Sequence, residues 1–153
     1  MSREIKYRVW DKRKKQMLYP KDLCYWDFAP TKNFSGIHVA RKDTRVVLAP
    51  EQGDVFMQYT GLKDETGKEI YEGDVISEMR RNNKAEIIFG TFEIGKDSWD
   101  IAHATTGFVC AFQDGGYTGL NVESCEAHGF ACEKIKVIGN VYKNPRLFKS
   151  KKK

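Results

Sequence analysis

Long apolar runs are missing from this chain of 153 residues. None approaches the roughly 20 apolar residues that a membrane-spanning helix needs. The opening MSREIKYRVW lacks the apolar centre of a signal peptide. A soluble, cytoplasmic protein is therefore expected. Cysteine is sparse as well: Cys24, Cys110, Cys125 and Cys132, in a chain without export signals, are expected as free thiols rather than a disulfide set. There is no phosphate-binding Walker loop, no dinucleotide fingerprint, no Gly-x-Ser-x-Gly elbow and no internal repeat. Those gaps remove the usual sequence signs of nucleotide and acyl-transfer enzymes, and no catalytic residue and no cofactor is assigned.

What is present is apolar enough to fold. Hydrophobic residues make up 41% and aromatics 12%, which excludes a disordered composition. The net charge of +5 is unevenly placed. Four lysines lie in the last five residues, KSKKK, expected to be a disordered tail. Residues 1–45 carry 12 basic and 5 acidic side chains, whereas residues 46–148 carry 10 basic and 16 acidic ones. Such a division suits either a basic face for an anionic partner or attraction between the two halves, within the chain or between copies.

The dominant hydrophobic period is two. In IKYRVW, Ile5, Tyr7 and Val9 share one face and Lys6 and Arg8 the other, as in a half-buried strand. The polar DKRKKQ turn and Met17-Leu18-Tyr19 continue this into a hairpin. Further strands are expected at 36–40, 45–50, 55–62, 69–71, 75–76, across AEIIFGTFEI, at 107–112 and at 135–142. In the last of these, Ile135, Val137, Gly139 and Val141 share a face, and Gly139 marks a bend or bulge. Helix is expected only over 119–134, where Gly129 interrupts it, and as one turn at Leu23–Phe28. The class is all-β: a small barrel or roll with extra N-terminal strands. The expected division is an N-terminal β-rich subdomain over 1–52, a barrel over 53–148 and the tail 149–153.

The stretch YTGLKDETGKEIYEGDVI contains two bends. Gly67 can take positive φ and Asp64 can accept nearby backbone N–H bonds. Glu72-Gly73-Asp74 makes the second bend, in which Asp74 accepts backbone N–H groups ahead of an apolar strand. From Gln58 through Tyr59, Gly61, Asp64, Gly67, Tyr71 and Gly73 to Asp74 the sequence resembles the hallmark run of the YopX family. Arg8-Val9-Trp10-Asp11 looks like that family's opening phrase, and Val137-Ile138-Gly139-Asn140-Val141-Tyr142 with Asn144-Pro145 like its closing one. The resemblance implies an SH3-type barrel, oligomeric assembly, and a phage or prophage accessory protein acting inside a bacterial cell. It implies no activity.

The residue types present allow three kinds of chemistry. Cys125-x-x-His128-x-x-x-Cys132 has metal-like spacing, but three ligands would need a fourth from Cys24, Cys110 or His103, and zinc sites take four. Ordinary thiols are expected there, so no metal is assigned. Cys110 with His103, or Glu72 with Asp74, could be imagined as catalytic pairs, although no spacing ties base to nucleophile. Nucleic acid or another anionic partner could meet Lys12, Arg13, Lys14 and Lys15 in one turn and Arg80, Arg81 and Lys84 in another, with Trp10, Tyr19, Trp26, Tyr59 and Tyr71 as stacking groups. The favoured reading is a non-catalytic interaction module that binds itself or a host or phage protein and regulates a host factor. Nucleic-acid binding is the alternative, an enzyme with an unrecognised site the last, and no membrane contact is expected. Gly73 should need positive φ, so Gly73→Val should lower the melting temperature rather than remove a specific activity.

Overall fold

The computed structural model describes residues 5–27, 37–78, 84–96, 102–113, 117–121, 130–131 and 135–147. Strands dominate, and among these residues the only helical elements are short 3-10 turns, so the protein is mainly β. It divides into two compact units, one of Ile5–Gln58 and one that continues from Tyr59.

In the first unit, β1 (Tyr7–Asp11) pairs antiparallel with β2 (Gln16–Leu18) on one side. On the other it pairs with the start of β6 (Val55–Lys63), through Tyr7↔Gln58 to Trp10↔Val55. A second antiparallel sheet has the order β3 (Leu23–Asp27), β4 (Ile37–Arg41), β5 (Val47–Leu48). Val9, Leu18, Leu23, Val39 and Leu48 make the core, with Phe56 against it. Two expectations change here. Leu23–Asp27 is a strand rather than a helical turn; the turn sits three residues earlier at Pro20–Asp22, where proline presets φ. Phe28 lies outside the described residues. The first strand is also not simply two-faced. Ile5 precedes it and is 72% exposed, whereas Arg8 and Asp11 are buried. Asp11 continues the face of Val9 and is enclosed with its partners Arg41 and Lys14 N–H, while Arg8 on the opposite face is buried too.

In the second unit the rest of β6 pairs with β7 (Glu69–Tyr71). A six-stranded sheet follows in the order β12 (Phe130–Ala131), β11 (Tyr117–Asn121), β10 (Ala102–Phe112), β9 (Lys84–Lys96), β8 (Asp74–Glu78), β13 (Ile135–Asn140). All its pairs are antiparallel except β11 with β12. Ile70, Ile76, Ala85, Ile87, Cys110, Ile135 and Val137 form its core. The helix expected over 119–134 is overturned wherever that segment is described, since residues 119–121 and 130–131 are strand. Thr118↔Cys110 and Gly119↔Val109 pairing gives the backbone a ladder that a helix interrupted by Gly129 could not match.

Gly139 does mark a bulge: the pairing of β13 with β8 shifts between Val137 and Gly139. The shift changes which residues face inward. Ile135 and Val137 are buried as expected, but beyond the bulge Asn140 is buried and Val141 only partly so. A Cβ on Gly139 would collide with Leu147 Cδ1 and lie 2.9 Å from Asn144 Oδ1. The glycine is thus needed for close approach of the C-terminal turn. Gly139→Ala should cost about 1–3 kcal/mol in urea unfolding, as overpacking does. Leu147→Ala should restore part of that loss in the double mutant, and strictly additive losses would refute the collision.

Candidate functional site

The hallmark run builds a joint inside the second unit. Gly61, at φ 88°, sits where the pairing of β6 with β7 shifts register between Tyr59 and Lys63. Thr60 Oγ1 donates to the Ile70 carbonyl at 2.8 Å and accepts Leu62 N–H at 3.1 Å, which ties the kinked strand to β7. The Tyr59 and Tyr71 rings pack 5.3 Å apart, and both side chains are buried. Gln58, just before them, is paired with Tyr7.

Asp64 then does what its turn chemistry predicts and more. Its Oδ1 accepts Thr66 N–H at 2.8 Å, Thr66 Oγ1–H at 2.7 Å and Lys68 N–H at 3.0 Å. Its Oδ2 accepts Val137 N–H at 2.9 Å, 73 residues away. Glu65 N–H donates to the Ile135 carbonyl at 3.2 Å. β13 has β8 on one side only among the described strands, so this loop satisfies backbone groups on the outer edge of the sheet. Burial pushes the Asp64 carboxyl up, but the bonds from Thr66, Val137 and Lys68 outweigh it and hold it below its ordinary 3.8.

The second bend works in the same way. Gly67 and Gly73 have φ of 80° and 74°, as their turns require. Gly73 N–H donates to the Ile87 carbonyl at 2.7 Å, and its carbonyl accepts Val141 N–H at 3.0 Å. One glycine so joins β9 to the end of β13. Asp74, fully buried, accepts Tyr71 N–H at 2.9 Å through Oδ2. Asn140 accepts Tyr142 N–H through Oδ1 at 2.9 Å. Every motif residue with a described side chain takes part in turns, strand pairing or packing.

The imagined catalytic pairs do not form. Cys110 is buried in the core, and His103 lies on the same strand seven residues away, roughly 20 Å at strand rise. Asp74 is taken up by its own turn, and Glu72 stands instead near Glu86 and Tyr142 in the charge field. Burial, then the Glu72 charge, raises the Glu86 carboxyl, and burial, then the Glu86 and Glu72 charges, raises the Tyr142 phenol. Cys24 Sγ lies 3.4 Å from the Ala40 carbonyl. Cys125, His128 and Cys132 lie outside the described residues, and among those described no group of three metal-ligating side chains converges.

The basic turn behaves differently. Lys12, Arg13, Lys14 and Lys15 are all exposed on the turn from β1 to β2. Buried acids hold its backbone: Asp11 Oδ1 accepts Lys14 N–H at 3.0 Å and Asp54 Oδ1 accepts Lys12 N–H at 3.2 Å. Asp54 Oδ2 also takes Ala49 N–H at 3.0 Å. Sequence reasoning missed the residue that organises this end of the unit. Arg41, almost buried, reaches Asp11 Oδ2 at 3.1 Å and Asp43 Oδ2 at 2.9 Å, and its Nη1 lies 3.4 Å from Gln16 Oε1. Arg41 pulls the exposed Asp43 carboxyl down to about 2. The only sequence signal was an arginine ending a strand in a strongly basic stretch. Lys84 belongs to the second unit, and Arg80 and Arg81 lie outside the described residues. Of the stacking candidates, Tyr59 and Tyr71 are buried, Tyr19 is 40% exposed, Trp10 is partly buried, and the Trp26 side chain is outside the described set.

Comparison with known proteins adds two findings. A family model described as "YopX protein" matches residues 6–149. The crystal structure of protein EF1440 from Enterococcus faecalis is similar in fold, with a TM-score of 0.54 and 23% identity, over 97% of this chain and 100% of that one. No curated protein matches.

Asp64 offers a pH test. Its carboxyl is lowered in the folded state, so its contribution is complete above the unfolded value near 3.8 and is lost as pH falls through the lower folded value. Asp64→Asn, which cannot accept bonds on both side-chain atoms, should cost about 2–3 kcal/mol at pH 7. The gap from wild type should close below pH about 4, and a gap that stays constant down to pH about 2 would count against the carboxylate.

Proposed function

Because the chain belongs to the YopX family, which its family model spans almost completely, we propose that it is a non-catalytic protein-interaction module that assembles with itself or captures a protein partner. We read it further as a phage or prophage accessory protein that acts in the bacterial cytoplasm and regulates a host factor, a reading that the family resemblance supports. The reading takes the six-stranded sheet as the body of the implied SH3-type barrel. A scaffold of this kind works by the surface it presents rather than by its fold.

One observation carries the reading. Along the described part of the β9–β10 ribbon the inward face becomes exposed. Along β9 the inward face begins with Ala85 and Ile87, both buried, and continues to Phe89, which is 49% exposed. Phe89 packs on Phe108, its cross-strand partner, with ring centroids 5.0 Å apart. Beside them Thr91 and Thr106, again opposite one another, share a hydrogen bond of 2.8 Å. The result is an uncharged strip of two phenylalanines and two threonines across the paired strands. Such surfaces suit burial against another protein, where aromatics are enriched and charges depleted.

The test is assembly state. Sedimentation equilibrium should show association of the wild type that persists at high salt, as an apolar contact would. Phe89→Asp should weaken it by at least about 2 kcal/mol, roughly 30-fold, with an unchanged melting temperature. A monomeric wild type that also retains no single protein from nuclease-treated bacterial lysate would overturn the reading.

A further inference from the structure

The first unit gathers most of its exposed cations on two turns whose backbones are held by buried acids. Two of its aspartates, Asp11 and Asp54, are buried and spent on backbone N–H groups, on Arg41 and on Arg13. Arg8 and Arg41 are buried as well, but the cations of the turns stay outside. Lys12 to Lys15 occupy the turn between β1 and β2, and Lys42 and Arg45 occupy the turn between β4 and β5; all six are exposed. These two turns are neighbours. Arg41, which opens the second turn, bonds Asp11, which opens the first, at 3.1 Å, and its Nη1 lies 3.4 Å from Gln16, which closes it. Arg13 Nη2 donates to the Val47 carbonyl at 3.3 Å, a further tie between the two hairpins.

Lys21 is exposed on the 3-10 turn alongside, and the Asp22 carbonyl of that turn accepts Lys42 N–H at 2.9 Å. Asp22 also accepts Tyr19 N–H at 3.0 Å, which places the 40%-exposed Tyr19 beside the cations. The fully exposed carboxylates described in this unit are Asp43, already held by Arg41, and Glu51; Asp22 is partly exposed and its Oδ2 is taken by Tyr19 N–H. Two of the cations also sit in a costly conformation. Lys15 and Arg45 have φ of 51° and 52°, the left-handed region where turns ordinarily place glycine or asparagine. A basic residue in each position keeps a charge where glycine would be easier.

We propose that the paired turns form a contact surface for the phosphodiester backbone of single-stranded nucleic acid, with Tyr19 offering its ring to a base. The surface is rich in lysine, a residue depleted at protein–protein interfaces but regularly used on phosphates. One exposed aromatic among cations matches the stacking-plus-charge pattern by which small β proteins hold single strands. This surface lies in the first unit and the aromatic strip lies in the second, so the two readings can fail separately.

The probe is a fluorescent oligothymidylate of about 20 nucleotides, longer than the about 16 that one small barrel covers. Binding to the full chain is followed by anisotropy between about 50 and about 200 mM salt. The parent protein for every comparison carries Lys149→Gln, Lys151→Gln, Lys152→Gln and Lys153→Gln, which removes the tail charges. If all six turn cations engage, log affinity should fall against log salt with a slope near about −4, at about 0.7 per phosphate. Lys15→Gly with Arg45→Gly should keep or raise the melting temperature, since glycine relieves the left-handed strain. The same pair should weaken binding about tenfold at low salt and reduce the slope by about 1.4. Tyr19→Ala should weaken binding at least about fivefold and leave the slope unchanged, because stacking releases no counterions. The proposal is overturned if the tail-neutral protein does not bind, if the two glycine substitutions leave affinity and slope unchanged, or if polyglutamate of equal charge competes as well as the oligonucleotide. The last result would mark the surface as one for acidic proteins.

Discussion

The carboxylate of Asp64 is the interaction on which the second unit most depends. It accepts three bonds from its own turn and a fourth from Val137 in β13, so a local loop and a strand far along the chain share one charge. An ionised group makes stronger hydrogen bonds than a neutral one, about 1.5–3 kcal/mol each. That exceeds a typical neutral backbone bond and is comparable to burying an isoleucine. It also closes the edge of a sheet at the place where an unpaired strand would otherwise invite aggregation. Gly73 extends the arrangement by linking Ile87 and Val141, and the bulge at Gly139 lets the C-terminal turn settle on the strand.

The first unit uses buried acids for a related purpose. Asp11 and Asp54 hold turn backbones, and Arg41 is held between Asp11 and Asp43. Desolvation makes a buried charge costly unless it is paired, and Asp11, Asp54 and Arg41 all have partners. One consequence reaches the surface. Because the acids are consumed inside, the exposed side of the turns is left basic. The charge asymmetry visible in the composition, 12 basic and 5 acidic side chains in residues 1–45, is sharpened at the turns because Asp11 and Asp54 are buried beneath them.

The family motif was legible because turn chemistry is local. Gly67, Gly73, Asp64 and Asp74 advertise positive φ and side-chain capping through residue type alone, and all four behave accordingly. The misread segments have the opposite character. Leu23–Asp27 and residues 119–121 are short and lack a clear period, so only their partners, β4 and β10, make them strands. Arg8 and Arg41 are buried cations, which composition alone assigns to the surface. Phe89 shows the reverse: it continues an inward-facing alternation, yet lies beyond the end of the core.

Period-two patterning by itself determined a mainly β protein, and the hallmark run by itself determined the family. Both rest on information carried within a few residues, the alternation of side chains along a strand and the dihedral needs of glycine and aspartate. Tertiary structure decided which cations face solvent, which tyrosines are buried, that Phe89 stays exposed, and that Asp64 reaches Val137. Those outcomes depend on distant segments meeting, and no residue records its distant partner in its own identity.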